Sequence, residues 1–317
     1  MQCFSSDWCN LRWSRWQNVS RATSTGRTPT TVPGAPGVYR IRSASLGQMV
    51  YIGECSDLSK RILGTWARLN RRPARDFSST KHAARRLAHL REAYGLEYEI
   101  SFYAAHHEGR RDPRLDAAQW RKGLESRLLW EYRLEARMSS VANHRRSTVR
   151  EGEQLAAEGS EVGFSEVGVP EVGFPYRIRP SSTPLPRPEQ EPHSELWMGK
   201  RWTSLAECKG RGQRINWSAA GKELRESGNG TPVLYKVLDP NTHELLQVGY
   251  SRRGSGGALA AASRLAGEKA VAWAPLTGAG RQEHVLQELK DDLIGGYFYQ
   301  MGKPPARQFA AEPSPSQ

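Results

Sequence analysis

The chain predicts an α/β fold of the α+β kind: a small three-stranded antiparallel sheet flanked by helices, present twice. Three observations carry this expectation. Two hairpin signatures, PGVYRIR leading to MVYIG in the first half and VLYKVLDPNTHELLQVGY in the second, pair β-branched and aromatic runs across turn-forming residues. Each hairpin is followed by segments of helical periodicity, ending in a long helix with an apolar stripe. Between the halves lies a stretch, 151–195, whose composition suits neither helix nor strand.

Residues 1–35 read as an irregular N-terminal segment, with Trp8, Trp13 and Trp16 on one short amphipathic helix and a Ser/Thr/Pro/Gly loop from Ser20. The first domain is expected over 36–150. Val38, Arg40 and Arg42 alternate with Tyr39 and Ile41 in its first strand, and a turn at Ser45-Leu46-Gly47 leads into the second. Ser56 or Asp57 caps a helix through Leu58, Ile62 and Trp66. Thr80 caps another, ended by Gly95, with Ala83, Leu87, Leu90 and Tyr94 inward and Lys81, Arg85 and His89 on a separate face. LEYEISFYA is the third strand, and a long helix runs from Leu115 to Met138.

The segment 151–195 holds three pentads, SEVGF-SEVGV-PEVGF, and a proline-rich run, which together predict a stiff linker; a peptide-docking element is the other reading. A second domain is expected over 196–310, with Trp197, Trp202 and Trp217 and a terminal helix around HVLQELKDDLIGGYFY, before a tail at 311–317.

Charge placement says more than the net +13. Of 46 Lys/Arg and 33 Asp/Glu, 27 and 13 fall within residues 1–150, leaving 19 and 20 beyond. A basic surplus confined to one half is the footprint expected for a polyanion partner. Cys3, Cys9, Cys55 and Cys208 are scattered, with no CxxC pair, which argues against a zinc module or disulfide framework. No stretch approaches the roughly 18 apolar residues of a membrane helix, and MQCFSSDWCNLRWSRW lacks a signal peptide's apolar run; a cytoplasmic protein without membrane partners is expected.

Gly37-Val38-Tyr39 and Tyr51-Ile52-Gly53, with the tyrosines 12 residues apart, are followed by Arg61 in LSKRI, Glu125 in ESRLL and Asn143 in SSVANHRR. This ordered set resembles the GIY-YIG nuclease family over residues 36–145. The resemblance implies a DNA endonuclease that hydrolyses phosphodiester bonds with one divalent ion, Mg²⁺ or Mn²⁺. It makes Tyr39 the base toward water with Tyr51 in support, Arg61 the transition-state stabiliser, Glu125 the metal ligand and Asn143 a hydrogen-bonding brace. Many relatives carry a histidine one turn after the arginine, where this chain has Thr65. Many also make two cuts to break a duplex, so a homodimer is one expectation.

The chemistry is consistent with those residue types. Phosphodiester hydrolysis needs a base for water and cations for the developing charge. A phenol is a poor base unless nearby cations favour its phenolate, and Arg61 offers a planar fork to a phosphate oxygen. Leu128, Leu129 and Tyr132 lie three, four and seven residues beyond Glu125, placing that carboxylate on the inward helix face, where it is costly unless paired or metal-bound. A hard oxygen ligand suits Mg²⁺. Lys60, Arg68, Arg71, Arg72, Arg75, Lys81, Arg85 and Arg86 are the candidate phosphate contacts. His106 and His107 end the third strand.

The second half repeats the pattern in degraded form. Tyr235 and Gln247 keep the 12-residue spacing, Arg264 echoes Arg61, and Lys290 stands where Glu125 would be. A cation cannot bind Mg²⁺, so this half is expected to be non-catalytic. RRGSGG at 252–257 reads as a surface loop whose amides suit a phosphate. The alternative to an enzyme is an inactive nucleic-acid-binding protein with two such modules.

Overall fold

The computed structural model describes residues 1–18, 32–69, 87–88, 91, 95–105, 116–140, 142–143, 182–203, 205–208, 230–265, 267–276 and 282–310. The chain divides into two compact units, Met1–Glu108 with Glu135–Pro180, and Gly109–Leu134 with Ser181–Gln317. Both are mixed α and β.

In the first unit, strands β1 (Gln17–Asn18), β2 (Gly37–Ser43), β3 (Gln48–Cys55) and β4 (Tyr98–Ala104) form an antiparallel sheet in the order β1-β4-β2-β3. The β2–β3 register sets Tyr39 opposite Gly53 and Ile41 opposite Tyr51, with a bulge after Ile41. Helix α1 (Leu58–Leu69) starts as expected at Asp57, whose Oδ1 accepts the Lys60 N–H at 2.9 Å, while the carbonyls of Ala35 and Pro33 take the N–H groups of Leu58 and Ser59. Gly95 (φ +63°), the expected stop, donates its N–H to the carbonyl of Arg91, which is helical, as are Leu87 and Ala88. Tyr39, Ile41, Val50, Leu58, Ile62, Leu87 and Ile100 are buried together in one core.

In the second unit, β5 (Ala206–Cys208), β6 (Val233–Leu238), β7 (Leu245–Ser251) and β8 (Lys269–Pro275) repeat the order β5-β8-β6-β7. Tyr235 faces Gly249, Val237 faces Gln247, and the bulge follows Val237, each 196 residues after its counterpart (235 − 39). Helices α2 (Ala117–Ala136, clustering here through residue 134), α3 (Ser255–Ser263) and α4 (Glu283–Met301) complete the unit. The apolar stripe of α4 packs on Leu234, Leu238 and Val248, and α3 on Val233, Tyr235 and Val237.

Several expectations need correction. Each sheet has four strands rather than three, because a segment preceding the hairpin adds a short edge strand. The N-terminal tryptophans form no α-helix. Residues Gln2–Phe4 and Trp8–Asn10 are single 3₁₀ turns, and Cys9 and Asn10 have φ of 58° and 61°, which an α-helix excludes. Residues 182–195, expected as linker, are partly packed into the second unit: Leu185 is buried, and its carbonyl accepts the Trp130 indole N–H at 2.7 Å. The RRGSGG stretch is a turn running into α3, whose second and third residues are Gly256 and Gly257. The pentads, Thr80, Lys81, Ala83, Leu90, Tyr94, Trp217 and the tail lie outside the described residues.

What replaces the expected helix is a strap that closes over a buried cation. Arg40 is fully buried, and it donates to the carbonyls of Cys3 (2.6 Å) and Ser5 (2.7 Å). Its guanidinium lies 4.2 Å from the Trp13 ring, 4.7 Å from Trp16 and 5.7 Å from Trp8. Trp13 and Trp8 stack at 6.0 Å, and the Trp13 indole donates to the Trp8 carbonyl. Ser14 then pairs with Phe102 of β4, donating its N–H to the Phe102 carbonyl and accepting the Phe102 N–H on its hydroxyl.

The second unit repeats these contacts except that with Trp16, whose place is taken by Leu205. Trp197–Gly199 is a 3₁₀ turn with Met198 at φ 53°, and the Trp202 indole donates to the Trp197 carbonyl. Thr203 pairs with Trp273 of β8 as Ser14 does with Phe102. Lys236, fully buried, donates to the carbonyls of Pro192 (2.8 Å) and Ser194 (2.6 Å) and lies 4.8 Å from the Trp202 ring. The units are two copies of one fold, strap included.

Burial pushes the Lys236 ammonium down to about 7, against the charge of Glu195, which raises it. The folded chain therefore binds fewer protons than the unfolded chain between that value and the ordinary 10.5, and this group's contribution to stability rises with pH across the window. Urea unfolding at about pH 7 and about pH 9.5 is expected to show that rise and to lose part of it in Lys236→Met. Identical slopes in the two proteins would count against a buried ammonium.

Candidate active site

The β2–β3 hairpin puts Tyr39 and Tyr51 on one sheet face as a diagonal pair, because Tyr51 lies opposite Ile41, two residues beyond Tyr39. Their ring centroids are 5.8 Å apart at 39°. Tyr39 is buried and Tyr51 half-buried. Gly53 allows this arrangement. A Cβ there would sit 2.5 Å from Tyr51 Cε1 and 3.0 Å from Tyr39 Cζ and Oη. Gly37, the glycine of the first tripeptide, is equally constrained: its Cβ would lie 2.2 Å from the Tyr103 carbonyl and 2.7 Å from Leu58 Cδ1. Both glycines are close-approach residues rather than turn residues.

Asn143 braces the middle of the second tripeptide. Its Oδ1 accepts the Ile52 N–H at 2.9 Å and its Nδ2 donates to the Ile52 carbonyl at 2.5 Å. Ser140 Oγ also donates to Oδ1, and the Ala142 N–H donates to the Val50 carbonyl. The carboxamide thus holds the outer edge of β3, the strand that carries Tyr51.

Arg61 occupies the first turn of α1 and is exposed, with its N–H on the Asp57 carbonyl. Thr65, one turn after Arg61, is buried and donates its hydroxyl to the Arg61 carbonyl at 2.8 Å. It braces the helix and offers no proton-transfer group. Asp57 has its carboxyl held below the usual range, chiefly by the Lys60 backbone N–H. Lys60 reaches out beside it, 87% exposed and 3.5 Å from the carboxylate, a contact that water screens.

Glu125 is half-buried on α2, flanked by buried Leu124, Leu128 and Leu129. Its helix clusters with the second unit, whereas Tyr39, Tyr51, Arg61 and Asn143 belong to the first. Of the five expected residues, the first unit therefore assembles Tyr39, Tyr51 and Asn143 around β3 and adds Arg61 on α1. Arg68 lies on α1 with its side chain outside the described residues, as are Arg71, Arg72, Arg75, Lys81, Arg85, Arg86, His106 and His107 altogether.

Among the described residues no three His, Cys, Asp or Glu side chains gather as a metal centre. The donor set assigned by resemblance is a single carboxylate, that of Glu125. That set fits Mg²⁺ or Mn²⁺ held largely by water, not a closed zinc site.

The second unit keeps the glycine floor and lacks the second phenol. A Cβ on Gly249 would be 2.4 Å from Tyr235 Cζ and Oη, so the first phenol and its glycine survive. Gln247 replaces the second phenol, and Lys290 lies 3.9 Å from Asp291. Arg264 is not the helical equivalent of Arg61: it is the C-cap of α3, at the far end of that helix. Burial raises the Tyr235 pKa, and the Arg264 charge partly opposes that rise. Gln308 is the residue that sequence reasoning missed. Its Oε1 accepts the Val248 N–H at 2.8 Å, and Arg307 donates to the Leu246 carbonyl, as Asn143 and Ala142 do in the first unit. The signal was present, since Gln308 follows Lys290 by the 18 residues that separate Asn143 from Glu125.

No family model, curated protein or solved structure matches the chain. No helix among the described residues is long and apolar enough to cross a membrane.

Asn143→Ala leaves both polar groups of Ile52 without their partner, at a cost of about 1–3 kcal/mol; Gln308→Ala, which frees one, is expected to cost less. Chemical unfolding and amide exchange at Ile52 and Val248 check this ordering. Equal losses would make the two braces equivalent.

Proposed function

We propose that the chain is a DNA endonuclease of the GIY-YIG type, with its reactive groups in the first copy and a non-catalytic second copy. The observation that carries the reading is the Tyr39–Tyr51 pair leaning over Gly53 with Asn143 bracing the strand between them. A structural hairpin has no need of two adjoining phenols on a side-chain-free floor. The second copy keeps that floor while its second phenol and carboxylate positions have become Gln247 and Lys290.

In this reading Tyr39 takes the proton from the attacking water and Tyr51 steadies the phenol beside it. Thr65 supplies no base, so that step falls to Tyr39. Arg61, exposed at the start of α1, meets the phosphoryl oxygens as charge develops. Asn143 keeps β3 in register and touches no substrate. Glu125 would hold a Mg²⁺ or Mn²⁺ ion, which when bound supplies Lewis acidity to the phosphate. Lys60 and the arginines of residues 68–86 give affinity through the DNA backbone without choosing sequence.

One observation favours the alternative, an inactive nucleic-acid-binding protein: the helix bearing Glu125 clusters apart from the tyrosines. Plasmid nicking with Mg²⁺ or Mn²⁺ separates the two. Tyr39→Phe is expected to slow nicking about 100-fold or more and Glu125→Ala to abolish it, with DNA affinity retained. Salt-dependent binding without cleavage in the unaltered protein would establish the alternative.

Gly53→Ala adds a methyl that both phenols must vacate. It is expected to lower the cleavage rate at saturating DNA more than it lowers the unfolding midpoint. Unchanged turnover would remove the tyrosine pair from the chemistry.

A further inference from the structure

Helices α2 and α4 cross antiparallel within the second unit, and residues equivalent by an offset of 165 make their contacts in reciprocal pairs. That offset relates Glu125 to Lys290 and Asn143 to Gln308; it also relates Gly123 to Glu288 and Arg133 to Phe298. Gly123 lies against Phe298, where a Cβ would come within 2.7 Å of the ring. Glu288 lies against Arg133, 3.3 Å away. These are one contact made twice, with i and j exchanged, the register of a two-fold interface. Trp130 and Gly295 are each other's equivalents, and they meet at the crossing: a Cβ on Gly295 would be 2.8 Å from Trp130 Cβ and 2.6 Å from the Ser126 carbonyl.

The register is self-complementary but the side chains are not. Trp130 fills the space that Gly295 leaves. Arg133, 1% exposed, is bound to Asp292 and Glu288, themselves buried. Pairing α2 with another α2 in this register would set Trp130 on Trp130 and bury Arg133 over Gly123 without a carboxylate. Pairing α4 with another α4 would leave a gap between two Gly295 residues and bury Glu288 against Phe298. Unpaired buried charges and overpacked or empty crossings both oppose such pairings.

We propose that α2–α4 is a two-fold interface closed within one chain by complementary substitutions, which excludes dimerisation of chains through either helix. The protein then forms no dimer through this seam. Resting on the nuclease reading above, it cuts one strand of a duplex per binding event, since one copy retains the reactive set.

Light scattering on the full chain across a wide concentration range is expected to give 35.5 kDa throughout. A species of twice that mass that Gly295→Trp disperses overturns the proposal. Gly295→Trp is expected to lower the thermal midpoint by several degrees, and the exchange Trp130→Gly with Gly295→Trp to recover about half of that loss or more, because the positions are equivalent. An exchange no better than Gly295→Trp alone also overturns it. With plasmid and sub-stoichiometric protein, nicked circles are the expected first product, and linear DNA appearing without them refutes single-strand cutting. A monomer with a recovering exchange but no cleavage at all removes the nuclease reading and leaves the closed interface standing.

Discussion

A basic side chain buried inside each unit is the constraint on which the rest of this protein depends. Arg40 and Lys236 occupy the same register position of equivalent strands, next to Tyr39 and Tyr235, and neither reaches water. A cation so placed is tolerable only if carbonyl oxygens and aromatic faces surround it. The strap provides both, two carbonyls and at least two indole rings in each unit. The demand of the charge explains the non-helical turns at Cys9 and Met198, the indole-to-carbonyl bonds, and the edge strand that begins where the strap meets the sheet.

The strap also orders the neighbouring chemistry. Side chains alternate along β2, so a residue fixed on one face fixes the opposite face too. Arg40, held on one side, leaves Tyr39 and Ile41 no choice but the other, where Gly53 makes room for the phenols. The bulge after Ile41, repeated after Val237, absorbs the mismatch between the hairpin turn and the register the tyrosines need.

Much of this was legible in the residues. The hairpins, the Asp57 cap and the Gly95 stop follow from local patterns that the tertiary structure leaves intact, whereas the role of Asn143, 91 residues from Ile52, was marked only by the resemblance. The strap was not legible, because tryptophans three and five residues apart also satisfy a helical reading, and the partner that decides against a helix, Arg40, lies far along the chain. The repeated spacing Trp8 to Trp13 and Trp197 to Trp202 was the available clue. Arg264 misled for the opposite reason: sequence likeness in ASRL and SKRI concealed that one arginine opens a helix and the other closes one. Glu125 sat on the inward stripe as the periodicity required, but periodicity does not say which unit that stripe faces.

The assignment of α2 to the second unit has a practical meaning for how the polypeptide can be divided. A break anywhere from residue 144 to residue 181 leaves α2 on the first fragment, while the groups that seat it, Gly295, Glu288 and Asp292, stay on the second. The two pieces would hold each other by the same packed crossing and buried ion pairs that the intact chain uses. Cleavage there yields a nicked but cohesive particle, as in a split reporter, rather than two independent modules.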